Sequence, residues 1–205
     1  VGVVIDDVPF GASTATAVGS QAPDFDPSEL ARVEVLRGPQ GTLYGASSLG
    51  GLLKFVTVDP STEQLSGRVQ AGVTSVQGGD SPGYNVRGSL NVPLTETLAL
   101  LVSGSRRNEP GYIDNPVRGI EDVNETDSTS GRVALLWQPS DAFALKLSSL
   151  HQDTKRDGED AAFRAAGFTD LQQSYLMDTG RYDQKLQAHS ATMTMTLGRA
   201  ELTSL

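Results

Sequence analysis

From about residue 65 onward, apolar and polar residues alternate with a period of two. Over 84–94, Tyr84, Val86, Gly88, Leu90, Val92 and Leu94 fall on one side, and Asn85, Arg87, Ser89 and Asn91 on the other. Leu98, Leu100, Val102 and Gly104 share a face over 98–107. Val133, Leu135 and Trp137 oppose Arg132 and Gln138, with Ala134 and Leu136 blurring the second face. Phe143, Leu145 and Leu147 oppose Lys146 and Ser148, and Met193, Met195 and Leu197 oppose Thr192, Thr194 and Thr196. The segment 67–77 alternates more weakly. A period of two predicts strands. Runs of roughly ten residues match what a tilted strand needs to cross a bilayer.

The connections add a second regularity. Those near 93–97, 139–142 and 198–200 are short, that near 78–83 is modest, and those near 108–128 and 152–183 are long and acidic. Transmembrane barrels have short turns at one end and longer loops at the other. Trp137 and Phe143 flank one short turn in phase with the outward face, as an interfacial aromatic belt or as an ordinary hairpin pair.

Residues 1–64 have a different texture. Val3–Ile5 predicts a short strand ending in the turn signal Asp6-Asp7-Val8-Pro9. Residues 11–23 are rich in Ala, Ser, Thr and Gly and predict a loop. Asp26 is placed to cap a short helix, with Pro27 at its first position and Glu29 at its third. Arg32 to Arg37 alternates charged and apolar residues, as a half-buried strand does. A glycine-rich stretch, 38–51, leads to a further strand over 52–58. The chain opens inside an apolar run and stops in an alternating one, which predicts a fragment of a longer protein. The predicted organisation is mainly β: a small mixed α/β unit over 1–64, then antiparallel strands of an incomplete transmembrane barrel over 65–205.

Composition narrows the function classes. The chain carries 16 Lys+Arg against 25 Asp+Glu, a net charge of −9, and no basic patch, which argues against nucleic acid. It contains no Cys, which removes disulfides, thiolate metal sites and cysteine nucleophiles. The glycine-rich stretch has P-loop glycine spacing from Gly45 to Gly50, but Gly51-Leu52 stand where Lys and Ser/Thr are required. Close backbone packing and positive-φ turns explain its glycines better than phosphate binding. His151 and His189 lie in no HExxH pattern, and no Gly-x-Ser-x-Gly elbow is present. No enzyme and no cofactor is expected.

The string Phe25-Asp26-Pro27-Ser28-Glu29-Leu30-Ala31-Arg32-Val33-Glu34-Val35-Leu36-Arg37-Gly38-Pro39-Gln40-Gly41-Thr42-Leu43-Tyr44-Gly45, continued to Gly50-Gly51, resembles the plug-domain signature of TonB-dependent outer-membrane receptors. Ile5-Asp6-Asp7-Val8-Pro9 resembles the strand and turn upstream of it. The resemblance covers about residues 1–58 and implies a plugged barrel of about 22 strands, of which about six and the start of a seventh are present here. It also implies plug-lock ion pairs from Arg32, Glu34 and Arg37 to the barrel wall. Gly38, Pro39, Gln40, Gly41, Tyr44, Gly45, Gly50 and Gly51 are then the plug's central glycine-rich motif. Asp59 stands where a basic residue is common in the family. The implied partners are the TonB–ExbB–ExbD energy-coupling complex, outer-membrane lipid and a small-molecule or metal-chelate ligand.

Two sets of carboxylates have the donor chemistry of a cation site. Asp24, Asp26 and Glu29 are better explained by the helix cap. Glu121, Asp122, Glu125 and Asp127, with Asp157, Glu159 and Asp160, could bind divalent ions, but solvated acidic loops are the commoner explanation. The resemblance implies active uptake of a scarce solute, by default a ferric siderophore, across the Gram-negative outer membrane. A passive porin or barrel adhesin, or a soluble β-sandwich binding module, are the alternatives.

Overall fold

The computed structural model describes residues 2–9, 29–45, 48–163, 166–168, 171–177 and 179–205. Two sheets account for its strands. The smaller has the order β2-β1-β4-β3, with β1 at Gly2–Ile5, β2 at Val8–Pro9, β3 at Leu30–Arg37 and β4 at Gly51–Thr57. Asp6 and Asp7 form the two-residue turn between β1 and β2, with φ of 45° and 72°. Both lie in the left-handed region, which Asp tolerates and which tight hairpins demand. β1 runs parallel to β4, and β3 antiparallel to it.

The glycine-rich stretch contains a single helical turn, α1 at Gly41–Tyr44, where the sequence pattern predicts only turns. Four residues are too few to show a helical period. Ser48 closes the loop around it: its hydroxyl donates to the Gly45 carbonyl at 2.7 Å, and its own carbonyl accepts from Gln40 N–H at 3.0 Å. Gly51 then enters β4 at φ 137°, where an added Cβ would lie 2.7 Å from the Leu36 carbonyl oxygen. Backbone conformation and space both require glycine there.

The larger sheet is an antiparallel meander of seven strands in chain order. These are β5 (Ser66–Thr74), β6 (Gly83–Thr95), β7 (Leu98–Glu109), β8 (Thr126–Ser140), β9 (Phe143–Arg156), β10 (Tyr182–Leu197) and β11 (Ala200–Ser204). Two-residue connections at 96–97, 141–142 and 198–199 lie at one end, and the longer 75–82, 110–125 and 157–181 at the other. Several strands outrun the expected ten residues, β8 with 15 and β10 with 16. Their upper thirds carry Asp127, Lys155, Asp183 and Lys185, so the apolar alternation stops before the hydrogen-bonded ladder does.

Register fixes the two faces. Leu100, Leu135 and Leu147 lie side by side on one face, and Val102 sits beside Val133. This face is exposed: Val102 is 42% accessible, Val133 46% and Trp137 44%. Trp137 meets Phe143 edge to face at 5.6 Å beside a two-residue turn. So wide an apolar face is out of place in water and suits lipid. The other face carries Ala99, Leu101, Ala134 and Leu150, all buried, as are Val4, Ile5 and Leu52 of the small sheet. β5 and β11 are open edges, so the sheet does not close. Among the described residues no helix is long and apolar enough to cross a membrane.

Candidate functional site

The polar side chains of the inward face meet the small sheet along one seam. Arg132 on β8 is 2% exposed. Its Nη1 donates to the Val58 carbonyl at 2.9 Å and its Nε to Ser148 Oγ on β9 at 3.2 Å. Lys146, one pleat below Ser148 on β9, pairs with Asp59 at 2.7 Å and reaches Asp6 at 3.9 Å. Asn91 on β6 accepts from Ser61 N–H at 2.8 Å and donates to the carbonyls of Ser61 and Gln64 at 2.8 and 2.9 Å. The segment leaving β4 is thus held by side chains of three wall strands.

Asp6 ties this seam into the small sheet. Its carboxylate accepts from Thr57 N–H at 2.9 Å and from the Thr57 hydroxyl, and its N–H donates to the Phe55 carbonyl. Next to it, Asp7 pairs with Lys54 at 2.5 Å. Burial alone would lower the Lys54 pKa, but the bond to Asp7 and that carboxylate's charge outweigh it and hold the ammonium above the ordinary lysine range.

The expected site residues fall in several places. Asp26 lies outside the described residues. Glu29 is buried, and its Oε1 accepts from Ser103 and Ser130 of the wall, each at 3.3 Å, rather than turning back onto a helix end. Arg32 pairs with Glu34 on its own strand at 2.6 Å, and Arg37 is exposed at the end of β3. In the seam the small sheet and its outgoing segment supply carboxylates, Asp6, Glu29 and Asp59, while the wall supplies the cations. Sequence reading placed Arg132 and Lys146 on the polar face but gave them no role. Their signal was a long cation at an inward position of an alternating strand.

At the opposite end the two longest connections fold on each other. Asn124 accepts from Tyr112 and Ile113 N–H, both at 2.9 Å. Asn115 donates to the Tyr175 carbonyl at 2.7 Å, and Gln173 bonds the Asp114 carbonyl through its N–H and the Glu159 carbonyl through its side chain. Phe163 packs against Phe168 and Tyr175. Beside them lies a cleft of about 400 Å³ with Glu121, Glu125 and Asp157 facing Lys155, Arg156 and Arg181. Arg156 bonds Asp160 and lies 5.5 Å over the Tyr182 ring. The Glu121 carboxyl is held above its ordinary pKa by its hydrogen bond to Asp80 and the charges of Asp80, Asp114 and Asp122. Among the described residues no three such side chains converge to hold a metal ion.

Residues 1–52 match the family described as the TonB-dependent Receptor Plug Domain. The pesticin receptor of Yersinia pestis is 34% identical over 115 residues, 56% of this chain and 16% of that protein. The ferric enterobactin receptor of Pseudomonas aeruginosa is 33% identical over 108 residues, 52% of this chain and 14% of that one. The solved ferric yersiniabactin uptake receptor of Yersinia pestis superposes over 96% of this chain and 29% of its own, with a TM-score of 0.73 and 26% identity.

Residues 1–52 belong to the TonB-dependent receptor plug family, and the chain as a whole is similar to TonB-dependent receptors. The small sheet is plug, the meander is barrel wall, and the location is the outer membrane of a Gram-negative cell. The chain spans about a sixth of the length of the curated relatives it matches.

Proposed function

We propose that the receptor containing this chain takes up a ferric siderophore by TonB-coupled transport, residues 1–64 serving as plug and 65–205 as wall. One observation carries this reading. A folded plug sheet is seated by polar contacts on the inward face of a wall whose outward face is apolar. Polar contacts let a gate open without exposing an apolar core, because water can replace their partners. A passive pore has no use for such a plug. The relatives' names, ferric enterobactin receptor and ferric yersiniabactin uptake receptor, supply the solute class.

In this reading the folded loops and their two-signed cleft form part of the outer vestibule, and the glycine-rich motif holds the plug's centre. Arg32, Glu34 and Arg37 sit at the plug rim as ion-pairing positions toward wall segments outside the seven strands. TonB with ExbB and ExbD supplies the pull, and outer-membrane lipid covers the apolar face. The barrel performs no covalent chemistry on its solute.

The test is iron-limited growth of a receptor-deficient strain expressing the full-length receptor, offered a panel of hydroxamate, catecholate and mixed ferric siderophores. Growth on one class, lost when TonB is deleted, is expected. Growth on none of them, with passive entry of small solutes instead, would favour the pore.

A further inference from the structure

We propose that residues 58–64 are a fixed clamp on the barrel wall, and that the plug yields only on the N-terminal side of Val58. This inference rests on the transport reading, since it concerns where the gate gives way.

The clamp draws on β6, β8 and β9 at once. Arg132 and Asn91 are both nearly inaccessible, at 2% and 7%. Asn91 uses its carbonyl and its amide together, on Ser61 and Gln64. Of the seam contacts these are the least open to replacement by water, because both side chains are buried. The plug body is held less firmly. Among the described residues its carboxylates reach the wall at longer range: Glu29 accepts from two hydroxyls at 3.3 Å, and Asp6 lies 3.9 Å from Lys146.

Topology adds a load path. In a receptor pulled from the N-terminal side of β1 and resisted just after β4, the load acts across a parallel pair, whose four register positions run from Gly2↔Leu52 to Ile5↔Phe55. The start of β1 and the end of β4 lie at opposite ends of that pair. The load therefore passes through the plug sheet before it reaches the clamp. Opening displaces the plug about a retained anchor, and the plug does not leave the barrel as a body.

The test uses the full-length receptor. This chain has no Cys, so once any cysteines elsewhere in the receptor are replaced by Ser, paired substitutions can be bridged by a short reducible bis-thiosulfonate. In Asp59→Cys with Lys146→Cys, bridging is expected to keep energy-dependent ferric siderophore uptake within about twofold of the same variant unbridged. In Glu29→Cys with Ser103→Cys, bridging is expected to lower uptake by about tenfold or more, restored by reductant. A block by the first bridge, or free uptake through the second, overturns the clamp. A second measurement does not depend on transport. In the purified receptor, amides of 58–64 are expected to exchange about tenfold more slowly than those of β1 and β2. Equal or faster exchange overturns the clamp even if uptake is confirmed. Absence of energy-dependent uptake in the unbridged variants and in the unmodified receptor overturns the transport reading instead.

Discussion

Arg132 shows how one inward position can set the strength of the plug–wall seam. Its guanidinium reaches a backbone carbonyl of the plug and a hydroxyl of the wall from a site closed to water. Replacing it by Met leaves the Val58 carbonyl unpaired and takes a positive charge from beside Asp6, Glu29 and Asp59. The expected loss is about 1–3 kcal/mol of plug stability, the usual cost of orphaning a buried partner. Calorimetry of the detergent-solubilised receptor should show a lower plug transition, partly recovered in Arg132→Lys. An unchanged transition would mean that the seam is not held there. Lys54 makes a separate, pH-dependent prediction. Its folded pKa is raised above its unfolded value of about 10.4. Its stabilisation is therefore full below about pH 10.4 and lost as pH rises through the higher folded value. The stability gap between the native chain and Lys54→Met should narrow across that range, and a gap independent of pH would contradict the pairing with Asp7.

At the scale of elements, the strands were legible because one face is apolar and exposed and the other carries the polar side chains that meet the small sheet, which writes a period of two into the sequence. Legibility ended where that contrast ended. The strand ends at 126–128, 152–156 and 182–183 read as loop, although their ladders continue through Asp127↔Lys155 and Asp183↔Lys155. The turn α1 has no capping side chain and too few residues for a period. The helix cap at Asp26 falls on residues outside the described set. The loops between these strands carry their own prediction. Glu121 has a raised pKa, so the fold favours its protonated form. That contribution is present below the unfolded value of about 4.3 and is lost as pH rises through the folded one. At neutral pH, Glu121→Gln should slow amide exchange and proteolysis of 110–125 relative to the native loop, with no difference near pH 4. Faster cleavage of the variant at neutral pH would contradict the assigned repulsion.

For the molecule as a whole, the family was legible in one contiguous string, whereas the seam was not. Its partners are remote in sequence: Asp59 and Lys146 are 87 residues apart, Val58 and Arg132 74, and Glu29 and Ser130 101. No local period encodes such pairs. The resemblance suggested plug arginines against wall carboxylates, whereas the described seam runs with the opposite sign, and Asp59 in a commonly basic place is one visible trace of that. In the proposed reading, an apolar outward face, a polar inward face and a plug seated by polar contacts fit a gate that needs work to open. The decisive measurement is uptake of radiolabelled ferric siderophore by cells whose only receptor for it is the full-length protein, with the proton-motive force intact or collapsed. Surface binding in both conditions, with internalised iron only in energised cells, is expected. Equal internalisation in both would show a passive route and contradict the gate.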